Sequence, residues 1–295
     1  MQANQVEIQD AEAFIAYCRK YGPEHDDSYT GPDDLNAGTL ASAGNPSYLL
    51  YGEDGEIIGA ASLMLGGFRE TGKGRMRIYH CLEPVPGHYK LLLDAILQHT
   101  EGIGDVYLFL PDKRKAEAEI LAGLGFAEWR RCYILDREAE GSAGAVFPEG
   151  FHLEEFIQGR DEETWRHIMN TCFAHLAGHT GTTTEIVRSY FTSEKHLPGG
   201  LKLLWKNGEA VGAVHTVQED GETAFVEQVA VLPEYQRQGL GRQLLRAGMQ
   251  KAREVGFENI RLSVNGENEK AVALYLDEGF TVTECMICYN LHLNN

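Results

Sequence analysis

The chain has 295 residues, 43% hydrophobic and 24% charged, which excludes a disordered or fibrous protein and supplies two cores of about 145 residues each. Its 26 Lys and Arg against 44 Asp and Glu leave a net charge of −18, so a phosphate backbone would repel it and nucleic acid is not an expected partner. No run of about 18 apolar residues occurs, and the N-terminus lacks a basic stretch followed by an apolar one, so the expectation is a cytoplasmic protein with no membrane contact.

The acid is spread along the chain: residues 1–145 carry −10 and the remainder −8. That pattern reads as a solubilising surface, with affinity for a cationic substrate as the alternative. Six cysteines suit a reduced compartment. Cys285 and Cys288 have a suggestive spacing, but they lie in a strand pattern, 280–291, where residues three apart point to opposite faces. They cannot close on one metal ion, and no metal is expected.

In chain order, 23–34 is an acidic loop, read as solvated or as a contact for a cationic substrate. A turn at Glu53 to Gly59 joins two strands. The stretch 82–90 holds Pro84 and Pro86, which remove amide donors. Val106–Leu110 reads as a strand, and 115–126 as a helix with a Gly-Phe ending. A small, glycine-rich linker follows at 138–150, dividing the chain into 1–140, a linker 141–150, and 151–295. Beyond it, 162–173 puts Trp165, Ile168, Met169, Cys172 and Phe173 on one helical face. Strands 201–205 and 210–217 flank an Asn207-Gly208 turn, and a strand 223–232 follows Asp220-Gly221. Then come a helix 242–255, a strand 259–264, a helix 269–278 and a closing strand.

Sliding one half along the other by 154 residues lays 115–126 on 269–280, 106–110 on 260–264, and Gly87 on Gly241. Strand, helix and Gly-Phe endings keep register for about 50 residues, which reads as a duplicated domain.

The strongest local signal is the stretch 229–245. A strand ends, a loop rich in amide donors follows, and a helix begins at once. Gly239 and Gly241 permit a tight turn and close approach by a ligand, while the first-turn amides and the dipole suit a pyrophosphate. Arg237 and Arg242 add positive charge. About thirty residues on stands Asn268-Glu-Lys-Ala-Val-Ala-Leu-Tyr275, ending in Gly279-Phe280.

Together, Gln236-x-x-Gly239-x-Gly241 and Asn268-x-x-Ala271-x-x-Leu274-Tyr275-x-x-x-Gly279-Phe280 resemble the GNAT superfamily of acyl-CoA-dependent N-acetyltransferases over residues 150–295. The resemblance implies an α/β (α+β) chain of two tandem GNAT-like domains, each with a mixed, mostly antiparallel central sheet flanked by helices. It implies acetyl-CoA as cosubstrate and an amine of a small molecule or peptide as acceptor. The pantetheine arm would pair with the strand at Val229, Ala230 and Val231. Gln236 belongs to the loop, and backbone amides of Arg237, Gln238, Gly239, Leu240, Gly241 and Arg242 would hold the pyrophosphate. Asn268 would meet the pantetheine, and Tyr275 would protonate the leaving thiolate. Two-domain members include the mycothiol synthases, although nothing in these residues singles out their acceptor.

Glu227, read as sharing a face with Val229 and Val231, is the candidate base, with a solvated or salt-bridged Glu as the equal alternative. His175 and His179 would border the acceptor pocket; His215, inside a strand, reads as a core or edge residue. In the first half Leu121 stands for Tyr275, Lys113-Arg114 for Glu267-Asn268, and the loop is about four residues short. By resemblance, this copy has lost its cofactor site. Two other readings are an acyl-CoA-binding sensor without turnover, and a dinucleotide site. The second is weakened by the lack of a Gly-x-Gly-x-x-Gly run.

Overall fold

The computed structural model describes residues 1–26, 28–31, 34–40, 42–69, 71–141, 143–174 and 181–293. The chain divides into two compact units: unit 1 is Met1–Cys132 with Glu284–Asn295, and unit 2 is Tyr133–Thr283. This differs from the expected division at 141–150. Each unit finishes its sheet with a strand from the other half of the sequence.

Unit 1 contains β1 (Gln2–Gln5), β2 (Ser47–Tyr51), β3 (Ile57–Met64), β4 (Lys73–Cys81) and β5 (Asp105–Pro111). Its helices are α1 (Ala11–Tyr21), α2 (Ala37–Leu40), α3 (Gly66–Arg69), α4 (Pro86–Leu97) and α5 (Lys115–Gly123). Strand β6 (Ala127–Glu138) then passes into unit 2, which holds β7 (Phe151–Glu155), β8 (Leu201–Lys206), β9 (Glu209–Gln218), β10 (Thr223–Val231) and β11 (Asn259–Asn265). Its helices are α6 (Glu162–Phe173), α7 (Thr184–Ser189), α8 (Leu240–Val255) and α9 (Glu269–Asp277). The last strand, β12 (Thr281–His292), returns to unit 1 at Glu284.

The strand order in unit 1 is β1-β2-β3-β4-β5-β12, and in unit 2 it is β6-β11-β10-β9-β8-β7. Neighbours from β1 to β4 are antiparallel, as are those from β7 to β10; β4–β5 and β10–β11 are the parallel pairs. Met286–His292 of β12 pairs antiparallel with Asp105–Pro111, so the expected closing strand of the second half serves unit 1. It buries Ile287 and Tyr289 among Leu92, Ile96, Leu108 and Leu121. Cys285 packs on that cluster while Cys288 lies in another with Tyr107 and Phe109, which is the opposite-face placement expected of their spacing. The stretch 141–150, though irregular, lies inside unit 2.

Helices cover both faces of each sheet. In unit 2, α8 packs Leu244, Leu245 and Met249 against Val211, Val214, Val226 and Ile260, while α6 packs Trp165, Ile168 and Met169 against Leu203, Ala213 and Ala230. Each such side chain contributes about 1.5–3 kcal/mol by leaving water. Strand β6 is held in unit 2 by Arg261, whose guanidinium grips Asp136 at 2.7 and 3.1 Å, and by Leu135 in the core. Arg137 adds bonds to the carbonyls of Glu138, Glu140 and Glu278.

The duplication is visible in the elements. β5 and β11, and α5 and α9, stand 154 residues apart, whereas β4 and β10 stand 150 apart. The four-residue difference falls in the loop after β4, where the sequence comparison put it.

Candidate active site

The site in unit 2 begins with a defect in a strand. β10 pairs with β11 over Thr223–Val226 against Asn259–Leu262, and the pairing stops there although both strands continue. On its other side β10 follows β9 to Val231, with a bulge between Val226 and Gln228. Leu232 donates its amide to Val211 of β9. By alternation the amides of Val231 and Val229 point the other way, toward the open gap.

The bulge also changes which side chain faces which way. Ala224 and Val226 pack toward α8, and beyond the bulge so do Val229 and Val231. Parity has slipped by one residue. Glu227 therefore does not share the face of Val229 and Val231, contrary to the alternation expected from sequence. It turns to the α6–α7 face, where its Oε2 lies 3.0 Å from Nδ1 of His215. Gln228 follows it there and donates to the Tyr190 hydroxyl at 3.4 Å.

After β10 the chain makes a short helical turn at Pro233–Tyr235 and then bends sharply. Arg237 has φ of 61° and Gly239 of 79°. The left-handed turn at Gly239 costs no Cβ clash and starts α8 at Leu240. The N–H groups of residues 237 to 242 have no acceptor among the described residues, which leaves six donors at the positive end of a 16-residue helix. A Cβ on Gly241 would meet nothing within 4 Å, whereas one on Gly248 of the same helix would lie 2.7 Å from Thr216. Packing accounts for Gly248, but Gly241 keeps space clear beside the free amides. Free amides, a helix dipole and clear space together suit an anion.

Three expected ligand residues use their side chains elsewhere. Gln236 donates to the Val231 carbonyl at 2.9 Å and so folds the loop back on the strand. Arg242 binds Glu278 and Asp277, with Arg246 completing the Glu278 clamp at 2.8 Å. Its guanidinium charge is therefore neutralised, and its backbone amide is what remains for an anion. Asn268 caps α9, its Oδ1 accepting from Ala271 at 3.2 Å.

Tyr275 on α9 is half-buried against Phe280, with ring centroids 6.1 Å apart and no hydroxyl partner among the described residues. Burial pushes its phenol up to about 12, so at neutral pH it keeps its proton. Cys172 of α6 lies against the Val231 backbone; burial pushes its thiol up to about 11, which leaves it a thiol rather than a nucleophilic thiolate. Burial alone would raise the Glu227 carboxyl, but His215 and Lys195 outweigh it and hold the group below the usual carboxylate range.

His175 and His179 lie outside the described residues. His215, read from sequence as a satisfied core or edge residue, is fully buried yet has no well-aligned hydrogen bond at either ring nitrogen among the described residues. Its signal was a polar ring inside an apolar strand, and Glu227 gave no local hint of being its neighbour. No group of three His, Cys, Asp or Glu among the described residues could hold a metal ion, and no helix there is long and apolar enough to cross a membrane.

Residues 163–280 match the acetyltransferase (GNAT) family. A mycothiol acetyltransferase from Thermobispora bispora is 34% identical over 197 residues, 64% of this chain and 66% of that protein. The chain spans slightly less than two thirds of the length of other such relatives. In fold it is similar to a GCN5-related N-acetyltransferase from Sphaerobacter thermophilus (TM-score 0.74, 18% identity, 98% and 95% of the two chains). It is likewise similar to a tandem GNAT protein from the clavulanic acid biosynthesis pathway (TM-score 0.72, 13% identity, 99% and 98%).

Proposed function

Because residues 163–280 form an acetyltransferase domain of the GNAT family, we propose that unit 2 transfers an acetyl group from acetyl-CoA to a primary amine by direct attack. The observation that carries this reading is the run of unpaired amides from 237 to 242, next to the open edge of β10. Those amides and the clear space at Gly241 fit a pyrophosphate, and the outward N–H group of Val229 fits an extended amide-bearing arm. Acetyl-CoA supplies an activated acyl group with a good leaving thiolate.

The remaining chemistry falls to side chains of this chain. The acceptor amine, with a reference pKa of ~10.4, arrives protonated and must lose a proton before it can attack. Glu227 attracts the cation and is the group on the acceptor face able to take that proton. The Val229 amide stabilises the oxyanion. Tyr275 is a weaker acid than a thiol of ~8.5, so it serves the departing sulfur by a hydrogen bond as charge develops. Asn268, with Oδ1 used in its cap, retains Nδ2 for the pantetheine. No observation favours a relay through Cys172, whose thiol is held protonated.

Unit 1 fits a copy that has lost this site. The Cys81 amide donates to the Tyr89 hydroxyl of α4 at 3.4 Å, and Val85 and His88 spend their amides within the loop. The mycothiol acetyltransferases among the relatives put their acceptor first among the amines to test.

Calorimetric titration of the full chain with acetyl-CoA, followed by thiol release with a panel of amines, tests the proposal. One site per chain and amine-dependent release are expected. Binding without release from any amine would leave an acyl-CoA sensor; displacement of a bound coenzyme A analogue by NAD would favour a dinucleotide site.

A further inference from the structure

Behind Glu227 stands a group that the acetyl-transfer reading does not use. His215 is 1% exposed on β9, between the edge of Trp165 at 6.0 Å and the ring of Tyr190 at 4.8 Å. Its Nδ1 comes within 3.0 Å of Glu227 Oε2 without the alignment of a ring N–H bond, and its Nε2 has no partner among the described residues. Leaving a buried polar group unsatisfied costs about 1–3 kcal/mol, which packing alone does not justify. At the equivalent register of unit 1, Ser62 is bonded to Ser47 at 2.9 Å and to Arg77 at 3.3 Å. The other titratable groups facing the pair are Lys195 before β8, Tyr190 at the end of α7, and His196 beside His215.

A carboxylate alone is a poor resting place for a proton taken from an ammonium. Reference pKa values run ~4.3 for Glu, ~6.5 for an imidazole and ~10.4 for the amine. The charge of Lys195 makes this carboxylate a weaker base still.

Resting on the acetyl-transfer reading above, we propose that His215 is the positioning residue of the acceptor site: its Nδ1, bare and facing Glu227 Oε2, takes from that carboxyl the proton that the amine gives up. The ammonium N–H bond breaks as an O–H bond forms on Glu227. That O–H bond breaks in turn as an Nδ1–H bond forms on His215, whose neutral form must therefore carry its hydrogen on Nε2. The carboxylate is restored beside an imidazolium, and the amine's lone pair is free for the carbonyl carbon. The proton returns to water as product leaves. His215 touches no substrate and acts through Glu227.

The first test needs no acceptor. Full-length protein labelled with nitrogen-15 at histidine is followed by NMR from pH 4.5 to 9, with His215→Asn used to assign the ring signals. The nitrogen-15 shifts should show the neutral ring carrying its hydrogen on Nε2, and Glu227→Gln should move the Nδ1 signal. A neutral ring protonated at Nδ1 overturns the proposal. The second test follows kcat/KM against pH with the best amine among 2-phenylethylamine, putrescine, glucosamine and a lysine peptide. His215→Phe should lower kcat about 10²-fold, leave the KM for acetyl-CoA unchanged and move the acidic limb. A loss with the limb unmoved marks a merely structural residue and also overturns it. A wild type that releases no thiol with any amine fails the acetyl-transfer reading, while the ring titration still decides the pair.

Discussion

The two units carry the same bulge at the same place in the same sheet, with opposite charges on it. In β10 the extra residue is Glu227, its side chain about one third exposed and facing a buried histidine. In β4 the register slips between Met76 and Ile78, and the extra residue is Arg77, 3% exposed and bonded to Ser62 and Asn45. Burial pulls the Arg77 guanidinium below its usual pKa. Around the bulge the substitutions run one way. Tyr275 is answered by Leu121, 1% exposed, and Glu278 by Leu124. Asn268 is answered by Arg114, which is tied to Glu24 and Glu117. Gln243, which reaches out to the Val146 amide, is answered by Tyr89 in the core. The polar residues at these positions of unit 2 are thus replaced in unit 1 by apolar, aromatic or ion-paired ones.

The comparison can be broken at several points. The largest effect should come from Ile287→Asp in β12, which puts a carboxylate among Leu108, Ile120 and Leu121. A loss of about 4 kcal/mol or more is expected, read as vanished hydrogen-exchange protection in β5. The damage should fall on unit 1 although the residue lies in the other half of the sequence. Gly241→Glu should weaken acetyl-CoA binding about 10³-fold, since its carboxylate competes for the free amides and repels a pyrophosphate of the same sign, and should leave the melting temperature nearly unchanged because the added Cβ meets nothing. A wild-type stoichiometry of two per chain would remove the contrast between the units.

Tyr275→Phe should lower kcat about 10²-fold with little change in acetyl-CoA affinity, measured by stopped assay and titration. Glu278→Gln should cost about 2 kcal/mol at neutral pH, because Arg246 and Arg242 hold this carboxyl below its ordinary range. The sign follows from the depressed folded pKa. The stabilisation is fully present above the unfolded value of ~4.3 and fades as pH falls through the folded one. Melting curves of wild type and variant should therefore converge at acid pH. The smallest effect belongs to Tyr89→Phe, about 1 kcal/mol for the bond to the Cys81 amide, with no second acetyl-CoA site appearing.

Much of unit 2 was legible in the sequence because its signals are local. The helix at Glu162–Phe173 has the bounds its periodicity predicts. Asn207 and Gly208 both take positive φ, as their hairpin requires, and the glycines at 239 and 241 stand at the start of α8. Two features were hidden because they are not local. One is which strand ends which sheet: 281–292 has the pattern of a half-buried strand whoever its neighbour is. The other is the inserted residue in β10. Strict alternation put Glu227 with Val229, and only pairing to β9 reveals the slip that sends it to His215.

The exchange of final strands has a consequence during synthesis. Asp105 of β5 pairs with His292, 187 residues further on. Until that segment leaves the ribosome, β5 has only three paired residues, against Lys73–Arg75 of β4. The first unit translated is thus the last completed, and for most of the synthesis its nascent sheet carries an open edge of Val106, Tyr107, Leu108 and Phe109. Slow, long-range closure of such an edge is where a nascent chain mispairs with a neighbour. Aggregation on overproduction should therefore originate in the N-terminal half, and a shield over that edge, rather than a more stable unit 2, should raise the soluble yield.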